Sequence, residues 1–306
     1  MIRVTFLGTA ASRPTTGRNV SGLAVQREGD LMLFDCGEGT QRQMMRYSTG
    51  FNVGAIFITH MHADHFLGIT GLLRTMGLQG RVEPLELYGP PGSEETLRVM
   101  VHLGAERTPF DVPIRELAPG DAVRREGYEV RAFAVEHGVR AVGYALVEDE
   151  RLGRFDVERA RALGVPEGPL FGRLHHGQPI EVDGRTIAPS DVVGPARPGR
   201  RVVFTGDTKP SRLVAEIARS ADLLVHDCTF GEEEAERAEE TMHATAAGAA
   251  RLAREAGVRR LLLTHISARY ADNPRALEEE ACAFFPGARV AQDGLVLEIP
   301  FADGED

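Results

Sequence analysis

The most constraining feature of the sequence is a cluster of three histidines and one aspartate that directly follows a short apolar run. The run is Ile56-Phe57-Ile58, and the cluster is His60-Met61-His62-Ala63-Asp64-His65. Such a run is typical of a buried strand, so the cluster is predicted to lie where a strand ends and a loop begins. Imidazole and carboxylate groups are ligands of zinc, iron and manganese. Four of them within six residues crowd one tetrahedral ion, so the motif predicts parts of two neighbouring metal sites rather than a solvated polar loop.

The composition fits a large globular protein and argues against several other classes. The chain has 306 residues, of which 42% are hydrophobic, and this length predicts one large domain or about two smaller ones. Its net charge of −10 argues against a general electrostatic attraction to nucleic acid, although a local basic patch is compatible with it. Because no apolar run reaches about 18 residues, no membrane span is expected. The absence of a signal-peptide pattern, together with the widely spaced Cys36, Cys228 and Cys282, predicts reduced thiols and a cytoplasmic location.

Strands and helices alternate along both halves of the chain. The predicted strands span residues 1–7, 23–27, 31–35, 56–59, 86–88, 128–135, 141–147, 201–205, 222–226 and 260–264, and two more short strands close the chain. One predicted helix begins at 41, and the others span 66–76, 93–103, 157–163, 212–219, 232–240, 245–256 and 274–285. This alternation predicts a layered α/β fold.

Ligand-type residues recur just beyond the carboxyl ends of four predicted strands. These residues are His60, His137, Asp207 and His265. Taken singly, His137 or His265 would be read as a structural histidine, and Asp207 as a helix cap. Strand ends of this kind are where α/β sheets place their sites. Together with the first cluster they supply five histidines and two aspartates, which is the ligand inventory of a two-metal site.

Residues 151–198 differ in character from the rest of the chain. Glycine and proline multiply there, apolar periodicity fades, and within 151–190 six arginines stand against five acids. A long loop-rich stretch inside a compact fold is usually functional or disordered. Because apolar residues such as Leu163, Val165 and Phe171 are retained, the segment is predicted to be an ordered arm that projects from the core, carries one helix and meets a partner.

The chain resembles the metallo-β-lactamase-fold hydrolases and, among them, the bacterial ribonuclease Z family of tRNA 3′-processing endonucleases. The resemblance covers nearly the whole length. It rests on Phe6–Thr9, Arg18–Ser21, Asp35–Gln41, His60–His65, His137, Gly168–Leu174 with Gly177, Thr205–Thr208, His226–Phe230 and Thr264–Tyr270. It implies a single domain over residues 1–306, a four-layer αββα sandwich with a substrate-binding arm inserted at about 151–198.

The resemblance also implies a set of metal ligands. Two zinc ions per chain are expected, with manganese or iron as alternatives. The implied ligands are His60, His62 and His137 for one ion, Asp64, His65 and His265 for the other, and Asp207 as a bridge between them. Asp35 would orient one of these ligands from behind.

Further roles follow from the same resemblance. Asp64 would act as general base, and His243 would lie near the scissile phosphate, although Ala244 departs from the His-Ser-Thr that family members usually carry there. Arg269 is a candidate contact to a phosphate or to the terminal nucleotide. The arm would hold the tRNA body, and its candidate contacts are Gly168, Pro169 and Gly172.

The resemblance therefore implies a zinc-dependent endoribonuclease that forms a homodimer. It would remove the 3′ trailer of precursor tRNA after the discriminator base by means of a hydroxide activated by two metals. One alternative is a small-molecule phosphodiesterase, arylsulfatase or lactonase of the same fold, and the arm argues against it because a small substrate needs no such projection. Another is a non-catalytic RNA-binding protein with structural metals, against which the full ligand set and the base argue.

Overall fold

The computed structural model describes residues 1–104 and 108–302. The chain divides into two compact units. The larger unit, here called the core unit, comprises Met1–Val147 and Arg200–Asp306, and the smaller, here called the arm, comprises Glu148–Gly199.

The first sheet of the core unit has seven strands. They are β1 (Ile2–Gly8), β2 (Gly22–Arg27), β3 (Asp30–Phe34), β4 (Val53–Phe57), β5 (Glu86–Gly89), β6 (Ile114–Glu116) and β16 (Val296–Ile299). Their order is β16-β1-β2-β3-β4-β5-β6. From β3 to β6 the neighbouring strands run parallel, so their carboxyl ends meet at one edge.

The second sheet also has seven strands. They are β7 (Ala122–Arg125), β8 (Tyr128–Ala134), β9 (Val142–Glu148), β12 (Arg201–Phe204), β13 (Leu223–Asp227), β14 (Leu261–Thr264) and β15 (Arg289–Val290). Their order is β15-β14-β13-β12-β9-β8-β7, and β12 to β15 are parallel. The strands at 114–116 and 122–125 were not predicted, because runs of three or four partly exposed residues carry little periodic signal.

The two sheets enclose the main apolar core. Successive side chains of a strand point to opposite faces, and β13 illustrates the consequence. Leu223 and Val225 lie in the cluster between the sheets, whereas Leu224 lies in the cluster beneath the helices. Phe34 and Phe57 stack between the sheets with ring centroids 5.2 Å apart. Strands buried on both faces explain the continuous apolar runs of the sequence.

Helices cover the outer face of each sheet. On the first sheet lie α1 (Thr40–Arg46), α3 (Ile69–Leu78) and α4 (Glu94–His102). On the second lie α7 (Arg212–Ile217), α9 (Ala246–Ala256) and α10 (Arg275–Cys282). The predicted four-layer αββα fold is thereby confirmed. Among the helices that the structure describes, none combines the length and apolarity that crossing a bilayer would require.

The single helix predicted over 66–76 is instead two helices. A short helix α2 (Ala63–Phe66) ends before α3 begins. Gly68, at the break, approaches another backbone segment so closely that a Cβ atom there would lie 2.1 Å from the carbonyl oxygen of Gly37. The amide of Cys36 also donates to the carbonyl oxygen of His65 at 2.7 Å. The break therefore seats the turn after β3 against the histidine cluster.

The predicted helix over 232–240 also begins differently. Its first residues, Glu232–Glu234, form a 3₁₀ turn, and α8 (Ala235–Thr241) follows. Met242, just after α8, has a left-handed backbone with φ of 56°. This ending turns the chain back toward the site at His243.

The arm contains more structure than the one predicted helix. Besides α5 (Val157–Ala162) it has α6 (Pro169–His175) and a hairpin of β10 (Ile180–Val182) and β11 (Arg185–Ile187). Asp156 caps α5 by accepting from the amide of Arg159 at 2.9 Å. The arm has its own small core, composed of Ala160, Val165, Leu174, Ile180, Ile187 and Val192. The prediction of a single helix was wrong because the other elements are too short to establish a periodicity.

Candidate metal centre

All seven predicted ligands gather at the carboxyl edge of the two sheets. His60 follows β4, and Asp64 and His65 lie in the short helix α2. From the second sheet, the contributions follow β8, β12 and β14, and they are His137, Asp207 and His265. Loops after parallel strands converge at this edge, which explains how residues about 200 positions apart come to share a site.

Four of these residues form a first group, here called site 1. The Nδ1 atom of His62 lies 3.0 Å from Nε2 of His60 and 3.3 Å from Nε2 of His137. Nε2 of His60 lies 3.6 Å from Oδ2 of Asp207. The ligand atoms of all four lie within 4.8 Å of one another. Three imidazoles and one carboxylate therefore face a common point.

A second group, here called site 2, shares the same aspartate. Oδ2 of Asp207 lies 3.4 Å from Nε2 of His65 and 3.2 Å from Nε2 of His265. Oδ2 of Asp64 lies 3.5 Å from Nε2 of His65 and 3.3 Å from Nε2 of His265. Asp207 therefore stands between the two sites, in the position that the bridging prediction requires.

The donor set fits divalent metal ions. In a tetrahedral zinc site with bonds of about 2.0–2.1 Å, neighbouring ligand atoms lie roughly 3.3–3.4 Å apart, which matches the separations in both sites. Within the described part of the chain, Nε2 of His65 and Oδ1 of Asp207 are buried without a hydrogen-bond partner. An unpaired buried polar atom is costly unless something else engages it. Both atoms belong to the shared region of the two sites, where a cation would engage them.

The ionisation of the site suits cation binding. Burial lowers the pKa values of His60, His62 and His137, which keeps their lone pairs available. Burial raises the pKa of Asp64, but hydrogen bonds with His265 and His65 outweigh it, so this pKa is lowered and the carboxylate is ionised.

His65 behaves differently from the histidines of site 1. Burial lowers its pKa, but the Asp207 and Asp35 carboxylates outweigh burial and raise the pKa well above its usual range. The carboxylates that favour a positive charge on His65 would equally favour a cation bound beside it.

Asp35 supports ligands of both sites from behind. Its Oδ2 accepts from Nδ1 of His65 at 2.6 Å. Its Oδ1 accepts from the amide of Thr59 at 2.8 Å, and the Thr59 hydroxyl lies 3.0 Å from both this oxygen and Nδ1 of His60. Binding the outer ring nitrogen fixes the histidine tautomer and leaves Nε2 free for a metal. Asp35 is fully buried, so these contacts are shielded from water.

A second aspartate, Asp227, makes a similar set of contacts that the sequence analysis did not assign. Its Oδ2 accepts from Nδ1 of His243 at 2.7 Å. Its Oδ1 accepts from the Thr229 hydroxyl at 2.7 Å, and that hydroxyl accepts from Nδ1 of His265 at 2.8 Å. The available signal was its position at the end of β13, where it follows the same strand-end pattern as the ligands.

His243 lies beside site 2, where Asp207, Asp227, His243 and His265 offer ligand atoms within 4.8 Å of one another. Its ring stacks on that of His265 with centroids 5.2 Å apart and an interplanar angle of 18°. Burial lowers its pKa, but the Asp227 carboxylate outweighs burial and raises the pKa to about 9. The Asp227 carboxylate therefore favours the protonated ring of His243 and engages its Nδ1, so Nε2 is the ring nitrogen left to act on another group.

Two loop residues complete the surroundings of the site. The backbone amide of Ser12 donates to Oδ2 of Asp64 at 2.7 Å, and Ser12 has a left-handed backbone with φ of 59°. The carbonyl oxygen of Met242 accepts from Nδ1 of His137 at 3.3 Å, which ties site 1 to the residue before His243. Neither contact could be predicted from the sequence, because every residue type except proline has the same backbone donor and acceptor.

The remaining predicted substrate contacts lie on exposed surfaces of the two units. Arg269 is exposed on the core unit and pairs with Glu234 at 3.1 Å. Gly168, Pro169 and Gly172 are exposed within the arm, at the start and on the surface of α6.

The chain is similar to known proteins along nearly its whole length. A family model described as the metallo-beta-lactamase superfamily matches residues 15–265. A ribonuclease Z of Myxococcus xanthus is 56% identical over 305 residues, which are 99% of each chain. A ribonuclease Z of Haloferax volcanii is 55% identical, over 99% of this chain and 97% of that one. The crystal structure of human tRNase Z, short form, superposes with a TM-score of 0.72 at 28% identity, covering 98% of this chain and 100% of that one.

Proposed function

Since this chain belongs to the ribonuclease Z family of the metallo-beta-lactamase superfamily, we propose that it hydrolyses precursor tRNA after the discriminator base, which releases the 3′ trailer. It is an endoribonuclease of tRNA 3′-end processing, as its full-length relatives and the human tRNase Z structure indicate. The cleavage position, the metal count and the roles of single residues are our proposals. The single observation that carries them is the pair of adjoining ligand sets that share Asp207.

We propose that His60, His62 and His137 hold one zinc ion, that Asp64, His65 and His265 hold another, and that Asp207 bridges the two. When bound, the ions supply positive charge to the phosphate and lower the pKa of the attacking water. Asp64 and Asp207 contribute −2 against the +4 of two divalent ions. The resulting surplus of positive charge at the site suits an anionic phosphodiester, even though the net charge of the whole chain is −10.

Asp64 is the proposed general base. Its carboxylate is ionised and faces site 2, where a water attacking the phosphorus would lie. The amide of Ser12 fixes the orientation of Oδ2 by a hydrogen bond of 2.7 Å. A carboxylate held in one orientation positions the water for in-line attack and accepts its proton.

His243 is the proposed proton donor. As the P–O bond to the water forms, the P–O3′ bond breaks, and the proton on Nε2 of His243 moves to the departing O3′. Asp227 keeps the ring protonated and aligned through its hydrogen bond of 2.7 Å to Nδ1. The products are a tRNA that ends in a 3′-hydroxyl and a trailer that carries the phosphate.

The arm, the dimer and the location complete the proposal. The arm would grip the tRNA body with exposed residues that include Gly168, Pro169 and Gly172, since RNA helices are read through their shape and backbone. Dimerisation is supported by Met45, Leu78 and Val99, which are 63%, 90% and 58% exposed on helices of one layer. The proposed location is the cytoplasm, to which three free cysteines are suited.

The experiment is incubation of the zinc-loaded protein with a precursor tRNA that carries a 3′ trailer, followed by mapping of both product ends. A 3′-hydroxyl on the discriminator nucleotide is expected. Asp64→Ala should abolish cleavage while circular dichroism remains native, and Asp111→Ala, which removes an exposed aspartate remote from the ligands, is the control. Cleavage elsewhere in the RNA would contradict the proposed position, and substantial turnover by Asp64→Ala would remove it as the base.

A further inference from the structure

A basic cleft adjoins the metal centre on the side of site 2. Its volume is about 440 Å³, and its walls include Ser12, Arg13, Phe230, Arg237, His243 and Arg269. Among the described residues that line it, three are arginines and none is acidic. The charge of this lining is thus opposite in sign to the net charge of the chain, which is −10.

The cleft opens onto the reacting groups. His243 forms part of its wall, and so does Ser12, whose amide holds Asp64. Thr229, which also lines the cleft, accepts from His265 at 2.8 Å. A nucleotide in this cleft would therefore be the neighbour of the phosphate that lies at the metal centre.

The three arginines are not equivalent. Arg269 is partly neutralised by Glu234 at 3.1 Å. Neither Arg13 nor Arg237 forms an ion pair with any residue that the structure describes, and both are exposed to solvent. The guanidinium carbon of Arg237 lies 5.8 Å from the centre of the Phe230 ring, which restrains this side chain at the wall. Arg13 and Arg237 thus keep their charge available for an incoming anion.

We propose that this cleft binds the first nucleotides of the 3′ trailer and that Arg13 and Arg237 hold their phosphates. The inference rests on the proposed function and adds the residues that recognise the leaving strand. A cleft of this size admits a single strand and excludes an A-form helix, and a basic groove is the usual support for single-stranded nucleic acid. The tRNA offers only one unpaired nucleotide before its stem, whereas the trailer offers a series of unpaired phosphates that several arginines can engage.

The test compares trailers of different length. Wild type and the double variant Arg13→Ala/Arg237→Ala are assayed on precursors with a one-nucleotide and a six-nucleotide trailer. The preference for the long trailer, measured as the ratio of the two kcat/KM values, should fall about 10-fold in the variant. The slope of the logarithm of the binding constant against the logarithm of the salt concentration should become shallower by about 1.4, since each single-strand phosphate contact contributes about 0.7. Arg13→Lys/Arg237→Lys should restore most of the preference, because lysine also binds phosphate.

The matched control is Arg219→Ala/Arg254→Ala, which removes two exposed arginines near the opposite, amino edge of the second sheet. It should keep the wild-type ratio. Equal losses on both trailer lengths would overturn the inference, and an equal loss of affinity for trailer-free tRNA would assign the cleft to the tRNA body instead. If the wild-type protein cuts no precursor at all, both the proposed function and this inference are contradicted. If the double variant cleaves precursors normally and keeps the wild-type ratio of kcat/KM values, only this inference is contradicted.

Discussion

Two buried aspartates, Asp35 and Asp227, support the centre from opposite sheets with the same local design. Each binds one histidine directly through Nδ1, at 2.6 Å for Asp35 and 2.7 Å for Asp227. Each binds a second histidine through a threonine hydroxyl, Thr59 for Asp35 and Thr229 for Asp227. The supports therefore differ little in geometry.

They differ in what they support. Both histidines behind Asp35, His60 and His65, are proposed metal ligands. Behind Asp227, His265 is a proposed ligand, but His243 faces the basic cleft and is free to act on the substrate. The same carboxylate–histidine unit can therefore serve two purposes. Where a metal ion would lie in front of the ring, it orients a neutral histidine as a ligand, and where the ring faces the substrate instead, it holds a protonated histidine as a proton donor. Substitutions of Asp35 and Asp227, and of the histidines that they support, should therefore affect metal binding and the rate of cleavage to different extents.

Among substitutions in the two supporting units, the largest effect is expected for His243→Asn. Loss of a general acid typically costs about 10²–10⁴-fold in rate, so kcat on precursor tRNA should fall in that range while bound zinc stays unchanged. Single-turnover cleavage and metal analysis measure the two quantities. His102→Asn, at the end of α4, is the control and should behave as wild type. Loss of zinc in His243→Asn would show that this histidine is a ligand, and the contrast between the two sides would collapse.

The second effect distinguishes the two aspartates by metal affinity. Asp35→Asn puts an amide nitrogen or a neutral oxygen against Nδ1 of His65, and loss of such support typically lowers metal affinity about 10–100-fold. Asp227→Asn should change affinity much less, because its Oδ1 can still accept from Thr229 and so keep His265 in place. Competition with a chromophoric chelator gives both constants. Equal losses would contradict the division of roles.

The third effect is a shift in pH dependence. His243 must be protonated to act, so activity should fall as pH rises through its pKa, which Asp227 raises to about 9 against the effect of burial. Asp227→Asn removes the negative charge that favours the protonated ring, so the alkaline limb of the kcat profile should move to lower pH. An unmoved limb, with activity otherwise reduced, would assign Asp227 a purely structural role.

The smallest effects are expected from the threonines. Thr59→Val and Thr229→Val each remove one buried hydrogen-bond bridge with little change of shape, which costs about 1 kcal/mol. Thr59→Val should therefore weaken zinc binding several-fold without changing the pH profile. Thr229→Val should affect zinc binding and His243 together, because its hydroxyl contacts both His265 and His243. If the two variants show the same zinc affinity and the same pH profile, the proposed difference between Thr59 and Thr229 is contradicted.

The sequence was informative where chemistry and strand pattern coincide. His60, His137, Asp207 and His265 could be picked out because each follows an apolar strand, and the ends of those strands in the two sheets meet at the site. The fold class followed from the same alternation and from the family resemblance, and the structure and the relatives confirm it.

Other features could not be read from the sequence. The Thr229 hydroxyl, which binds Asp227, reaches His265 across 36 positions, and no local pattern encodes such a contact. The amide of Ser12 reaches Asp64 across 52 positions, and any residue type has an amide. The break at Gly68 depends on a close approach to Gly37 that only the folded chain reveals. Short elements of the arm, such as α6 and its hairpin, rest on a core of six residues that is too small to impose a periodicity on the sequence.

The most direct test of the two-site account is a zinc titration of metal-free protein, with bound zinc and cleavage of precursor tRNA followed together. The account predicts that binding saturates at about two ions per chain and that full activity coincides with the second. Saturation at one ion per chain with full activity would contradict the shared-aspartate centre.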